Sequence, residues 1–156
     1  MSRSIDRVAD AAASEGLAIE VRRFPEGTKT AGDAARAIGC EVAQIVKSLV
    51  FVADGEPFLA LTSGANRADT AKIATLLGAA EVRRATAEEA RASTGYGIGG
   101  TPPFGHQRSL RVLVDRDLLA FQEVWAAAGT PDSVFPIAPE ELVRASRAVP
   151  ADLREG

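Results

Sequence analysis

The chain has 156 residues, 46% hydrophobic and 25% charged, with a formal net charge of −3. That length suits one domain around one core, and an acidic balance argues against a protein that grips nucleic acid along an extended basic face. No stretch approaches the ~18 apolar residues of a membrane span, and a lone cysteine, Cys40, excludes an internal disulfide and a cysteine-rich metal site.

Ile5, Val8, Ala9, Ala12 and Ala13 recur at helical spacing, and Gly16 stops that first helix. Its early acids and broken apolar pattern set it apart from a signal peptide, so a cytoplasmic protein is expected. Ala18 to Phe24 alternates apolar and charged residues as an exposed strand does, and Pro25-Glu26-Gly27 breaks it. Thr30 with Asp33 predicts a capped helix that closes at Gly39. Ile45 to Ala53 is apolar and β-branched, Asp54-Gly55 is a hairpin turn, and Pro57 to Thr62 is the return strand. A helix follows from Asp69 to Leu77, with Gly78 as its stop, then a short strand from Glu81 to Arg84. Thr86 and Glu89 form a capping box for a helix ending near Thr94.

Gly95 to Gly105 reads as a long loop and Leu110 to Val114 as a strand. Val124 to Ala128 fits strand or helix, and the Gly129-Thr130-Pro131 turn after it favours strand. Val134 to Ile137 is a last strand, and Pro139 opens a terminal helix. Short helices interleaved with six or seven short strands predict an α+β domain. Its sheet should be mixed, largely antiparallel and barrel-like, spanning residues 1–150, with a polar tail over 151–156.

Lys47 is the most informative residue. Strand alternation puts it on one face with Ile45, Leu49 and Phe51, while Val46, Val50 and Val52 occupy the other, with Ser48 beside them. Both faces are apolar, so the strand is central, and a lysine there needs water, a carboxylate or a ligand at its ammonium. A side chain that snorkels to solvent is the plain alternative; a cation aimed into a pocket is the stronger reading.

The run TGYGIGGTPPFGH, Thr94 to His106, holds five glycines and two prolines. Its backbone N–H groups can approach a ligand closely, and an ordinary surface loop is the competing reading. His106 is the only histidine and sits better at a pocket rim than as a general base. Without a second histidine or a cysteine cluster no metal site is expected. No glycine pattern of a dinucleotide fold follows a strand and no nucleophile elbow is present, so no cofactor is expected. Cys40 reads as a packed side chain. The polar turn Ser63-Gly64-Ala65-Asn66-Arg67 either lines the same cavity or is only a loop.

The strings IVKSLVF, LTSGANRADTAKIATLLGA and TGYGIGGTPPFGH, in this order and spacing, resemble the YbaK/EbsC family, as does VWAAAGTPDSVFPIAPEEL after them. Proteins of this kind resemble the editing domain of prolyl-tRNA synthetase, and several clear mischarged amino acids from tRNA. The resemblance implies a trans-editing aminoacyl-tRNA deacylase acting on the acceptor end of a mischarged tRNA, that of proline first. It implies no membrane or DNA partner, and prolyl-tRNA synthetase as a further candidate partner.

Catalytic roles would fall to Lys47, Gly100 and Thr101. Substrate contacts would fall to Ser48, Ser63, Gly64, Asn66, Gly99, Pro102, Pro103 and His106. Ser48 stands where some relatives carry Thr or Asn, and Gly129-Thr130-Pro131-Asp132 where some carry a histidine, so the amino acid removed does not transfer. An aminoacyl ester is already activated, so positioning and oxyanion stabilisation suffice without a side-chain nucleophile. The basic pairs Arg22-Arg23, Arg83-Arg84 and Arg108 with Arg111 are scattered, which suits a grip on a small part of an RNA. Two other classes compete: a module of the same fold that binds a nucleotide or small molecule without turnover, and an adaptor that catalyses nothing.

Overall fold

The computed structural model describes residues 3–24 and 30–156. The expected break at Pro25-Glu26-Gly27 lies outside the described residues. Five helices are present among them: α1 (Arg3–Ser14), α2 (Ala31–Ile38), α3 (Thr70–Leu77), α4 (Ala87–Thr94) and α5 (Pro139–Ser146). Their ends follow the local chemistry of the sequence. Thr30 Oγ1 accepts from the Asp33 N–H at the start of α2, Asp69 caps α3, and Thr86 with Glu89 completes a reciprocal capping box on α4. Gly39, Gly78 and Gly95 close α2, α3 and α4 in the left-handed conformation.

Eight strands form two sheets among the described residues. β1 (Arg22–Arg23), β7 (Ser133–Ile137) and β6 (Val124–Ala127) form one, in the order β1-β7-β6. The other has the order β4-β2-β3-β5-β8, from β2 (Val46–Ala53), β3 (Glu56–Ser63), β4 (Val82–Arg84), β5 (Arg111–Asp115) and β8 (Val149–Ala151). The β2–β3 hairpin turns at Asp54 and Gly55, both with positive φ (48° and 86°), as a primed turn requires. Pairing is mixed and largely antiparallel, with β3–β5 and β5–β8 the parallel pairs.

The architecture departs from the expected barrel of six or seven strands. The strands do not close into a barrel but form two open sheets: the five-stranded sheet ends on β4 and β8 and the three-stranded sheet has β1 at one edge, all strands of only two or three residues. Strand also covers less of 18–24 than the alternation suggests, since only Arg22 and Arg23 pair, opposite Val134 and Ser133. At the other end, Ala151 pairs with Asp115 and Leu153 is fully buried, so the segment read as a tail contributes to the sheet and its core.

Period-two alternation places two of the three hydrophobic clusters among the described residues, the third lying between α2 and the three-stranded sheet. Val46 and Val50 of β2, Leu59 and Leu61 of β3, and Val112 and Val114 of β5 face a large core shared with α1, α5 and the three-stranded sheet. Phe51, Phe58, Ala60 and Leu113 face a smaller core under Ile73 of α3. β2 is therefore central, as its two apolar faces predict. Its outer edge is divided: β4 pairs with residues 51–53, and at the other end Ile45 bridges to Trp125 of β6. Between those two contacts the edge of β2 has no strand partner among the described residues.

Candidate functional site

A cavity of about 560 Å³ opens at this gap, a size typical of small-ligand sites. It is lined by consecutive residues of β2, Val46 to Val50, together with Trp125 and Ala126 of β6, the start of α2, Arg84, and Ile98, Gly99 and Thr101 of the glycine-rich loop. Consecutive strand residues point to opposite faces, so a cavity can touch them all only by wrapping around a strand edge. The Val50 carbonyl accepts from the Ala85 N–H. By alternation the backbone N–H and carbonyl of Ser48 point the same way, past the end of β4 and into the gap.

Lys47 enters the site on the face it shares with Leu49 and Phe51. Its Nζ donates to the backbone carbonyl of Asn66 at 2.5 Å. Burial pushes its ammonium below the ordinary lysine value, and the neighbouring cations Arg84 and Arg67 push it the same way, while Asp115 pulls it back up. The Ser48 hydroxyl is shielded from solvent and has no hydrogen-bond partner among the described residues. An unmade bond of this sort is costly in an apolar wall and is relieved by a ligand.

The turn from Ser63 to Asn66 is held from behind. Asp115, 1% exposed at the end of β5, accepts from the Ser63 N–H at 3.0 Å and from Asn66 Nδ2 at 2.9 Å. Its other oxygen accepts from the Asp117 N–H at 3.0 Å. Ser63 Oγ donates to the Ala43 carbonyl at 2.8 Å, and a Cβ on Gly64 would collide with the Val42 carbonyl. Ser63, Gly64 and Asn66 therefore set the carbonyl that receives Lys47 and do not themselves line the cavity. Of the two readings left open for this turn, the geometry gives it a supporting place.

The glycine-rich loop splits between two places. Gly99 and Thr101 line the cavity; Gly99 has φ +88°, and Thr101 Oγ1 donates to the Gly97 carbonyl at 3.3 Å. The Gly100 N–H donates to the same carbonyl at 3.1 Å, so it is already engaged within the loop. A Cβ on Gly100 would stand 2.8 Å from the Gly129 carbonyl oxygen and from Thr130 Cα. The glycine there permits close packing on the turn after β6, a different reason from the close backbone approach to a ligand read for this loop.

Pro102 is buried, and its carbonyl lies 2.7 Å from His106 Nε2. Pro103 and His106 line a separate cavity of about 360 Å³, between the end of α1 and the end of α5. Burial lowers the basicity of His106, opposed by the bond to Pro102. The structure thus brings Lys47, Ser48, Gly99 and Thr101 together, with Ser63, Gly64 and Asn66 behind them, and sets Pro103 and His106 apart.

The apolar wall of Trp125 and Ala126 escaped the sequence reading, as did three charged residues at or behind the site. Arg84 was one of several scattered basic residues, Arg67 one member of a polar turn, and Asp115 an acid at a strand end. The local signal at Asp115 is its cap on the 3₁₀ turn Arg116–Ala120; its bonds to residues 63 and 66 join segments far apart in the chain. Among the described residues no cluster of three or more His, Cys, Asp and Glu could hold a metal ion.

An open α+β sheet with a lysine-bearing cavity at a divided strand edge, closed on one side by a glycine-rich loop, is the architecture to be placed among known proteins. The sequence model of the aminoacyl-tRNA editing domain matches residues 25–145, so the chain belongs to that family, the YbaK-like editing domains. It is 32% identical over 124 residues to the uncharacterized protein YwhH of Bacillus subtilis, covering 79% of this chain and 78% of that protein. It is also 32% identical over 127 residues to proline--tRNA ligase of Streptococcus pyogenes, covering 81% of this chain but 20% of the ligase. The crystal structure of a candidate trans-editing enzyme for prolyl tRNA synthetase superimposes with a TM-score of 0.95 at 47% identity, covering 100% of this chain and 99% of that one. No helix among the described residues is long and apolar enough to cross a membrane.

Proposed function

We propose that the protein hydrolyses the ester of a mischarged aminoacyl-tRNA in trans, with tRNA(Pro) as the first candidate substrate. The observation that carries this reading is Lys47: a half-buried ammonium fixed by the Asn66 carbonyl at the wall of a cavity whose far side is glycine-loop backbone. Such a cation suits the electron-rich oxygens of an acceptor end or of a developing oxyanion.

The remaining lining supports positioning. The Ser48 hydroxyl and the unpaired β2 edge offer polar contacts, while Trp125, Ala126 and Ile98 offer an apolar wall. A water would supply the attacking oxygen, with the vicinal hydroxyl of the terminal ribose placed to take up its proton, and the leaving ribose oxygen would be protonated in turn. Lys47, Gly99 and Thr101 hold the ester in place, and Asp115, Ser63 and Asn66 hold Lys47. Gly100 contributes through loop packing.

A non-catalytic binding module remains the second reading, favoured by one observation. The Gly100 N–H, one of the donors expected to face the ester, is bonded inside the loop. A deacylation panel separates the two, with Ala-, Cys-, Ser- and Thr-tRNA(Pro) as substrates. Release of at least one amino acid well above the spontaneous rate, lost in Lys47→Ala, is the expected result. No turnover on any member, together with tight binding of a free nucleotide, would overturn the deacylase reading in favour of the binder.

A further inference from the structure

The neighbours of Lys47 are arranged in an unusual way for an acidic protein. Arg67 follows Asn66 directly, beside the carbonyl that receives the Lys47 ammonium. Arg84 stands opposite Phe51 in the β2–β4 register, so it shares the Lys47 face of the sheet, and it lines the cavity. Its guanidinium lies 5.6 Å from the centre of the Phe51 ring, which steadies the side chain without neutralising it. Both arginines are exposed, and neither forms an ion pair with a described carboxylate.

The contrast with adjacent cations is direct. Arg83, one residue away, is bound by both oxygens of Glu89 at 2.8 and 2.9 Å. Lys72 pairs with Asp152, and Arg154 with Asp117. Arg84 lines the cavity and Arg67 stands next to the Asn66 carbonyl that receives Lys47; burial first, and then these two cations, lower the basicity of the Lys47 ammonium. Asp115 is the nearby acid, and it is buried and saturated by three hydrogen bonds. An external anion is the missing partner.

We infer that Arg67 and Arg84 form a two-point clamp for the phosphodiester groups of a single-stranded 3′ end whose terminal ester enters the cavity. The inference rests on the deacylase reading for the identity of that ester. Planar guanidinium groups suit bidentate contact with phosphate oxygens. Ile98, 62% exposed at the same cavity, offers apolar surface for a base. The net charge of −3 keeps the attraction local, so a short unpaired end is held and a long duplex is not.

The test compares the Arg67→Gln/Arg84→Gln double variant with wild type on two probes bearing the same alanyl ester. Alanyl-adenosine has no phosphate, and alanyl-CpCpA has two phosphodiesters. Wild type should prefer alanyl-CpCpA, with kcat/KM falling as salt rises, a negative log–log slope that alanyl-adenosine does not show. The double variant should lose about tenfold or more of that preference and most of the slope. Arg83→Gln, whose guanidinium is already paired, should keep both. Loss of the two arginines favours the Lys47 ammonium, so a defect cannot come from its deprotonation.

An unchanged preference and slope in the double variant overturns the clamp. Should wild type hydrolyse neither probe, the deacylation panel on full tRNA(Pro) decides the deacylase reading separately, and NMR titration with unesterified CpCpA decides the clamp. Binding that weakens in the double variant supports it. Equal binding, or none to wild type, overturns it.

Discussion

The cavity at Lys47 and the cavity at His106 each hold a basic side chain whose basicity is lowered mainly by burial, yet they differ in what surrounds it. His106 has its Nε2 against the Pro102 carbonyl, and the charged residues beside it are paired, Arg147 with Glu15 and Arg108 with Glu56. Around Lys47 the inventory is incomplete. Among the described residues two arginines lack carboxylates, the Ser48 hydroxyl lacks a partner, and a stretch of strand edge lacks a neighbour. A cavity whose polar groups are satisfied by the protein is explained by folding; one whose polar groups are not calls for a ligand. The sole histidine is the more conspicuous residue in the sequence, but the unfinished bonding lies around the lysine.

The comparison is broken most sharply by Lys47→Ala. Deacylation should fall by ~10²–10³-fold or more, with circular dichroism and melting temperature close to wild type, because a half-buried cation is removed and no core packing is lost. Wild-type turnover in this variant would remove Lys47 from the site, and an unfolded variant would make it structural.

Gly100→Val is expected to come next. Its Cβ would press on the Gly129 carbonyl and Thr130, displacing the loop from the turn after β6. Activity should be largely lost, with a lowered melting temperature. Thr101→Ala, which removes only a long bond to the Gly97 carbonyl, should stay active. The reverse outcome, an active Gly100→Val and an inactive Thr101→Ala, would give the chemistry to the threonine side chain.

Asp115→Asn sharpens the role of the support behind Lys47. An amide keeps one acceptor oxygen, so whichever way it turns, its N–H groups oppose either the Asp117 N–H or the Ser63 and Asn66 donors, at a stability loss of ~1–3 kcal/mol in chemical denaturation. It also removes the charge that pulls the Lys47 ammonium upward. The alkaline limb of the activity profile should therefore move to lower pH, a shift that a purely structural defect would not produce.

The smallest effect is expected at His106. His106→Gln should reduce turnover far less than Lys47→Ala, and its main signature should lie in stability. The folded pKa is lowered from 6.5, so between that folded value and 6.5 the unfolded chain binds more protons. Stability from this group is full above about pH 6.5 and declines as pH falls through the folded pKa. Melting temperatures across pH 5 to 8 should show a shallower acid decline in the variant. A catalytic loss as deep as that of Lys47→Ala, with a bell-shaped profile, would instead make His106 an acid or base.

Local chemistry determined much of this protein in advance. Capping at Thr30, Asp69 and Thr86, glycine stops at Gly39, Gly78 and Gly95, and the Asp54-Gly55 turn act over four or five residues, so the sequence alone places these elements. The two apolar faces of β2 likewise announce a central strand with an out-of-place lysine, because alternation is a property of the strand itself. Pairing between distant segments is another matter. Whether the sheet closed depended on which edge met which, and the short β1, β4 and β8 left it open.

Long-range geometry also settled the site's composition. The alternating run from Ala18 signals a strand, but β7 reaches only Arg22 and Arg23 of it. Asp115 lies 49 residues from Asn66 and 52 from Ser63, and Lys47 meets the Asn66 carbonyl across 19. No periodicity links such positions. Arg83 and Arg84 look alike in the chain, and strand alternation turned one to Glu89 and the other over Phe51. Side-chain identity and local spacing set which groups were available; the tertiary pairing decided which of them would meet, because the distances that govern charge and hydrogen bonding exist only after the strands have chosen their neighbours.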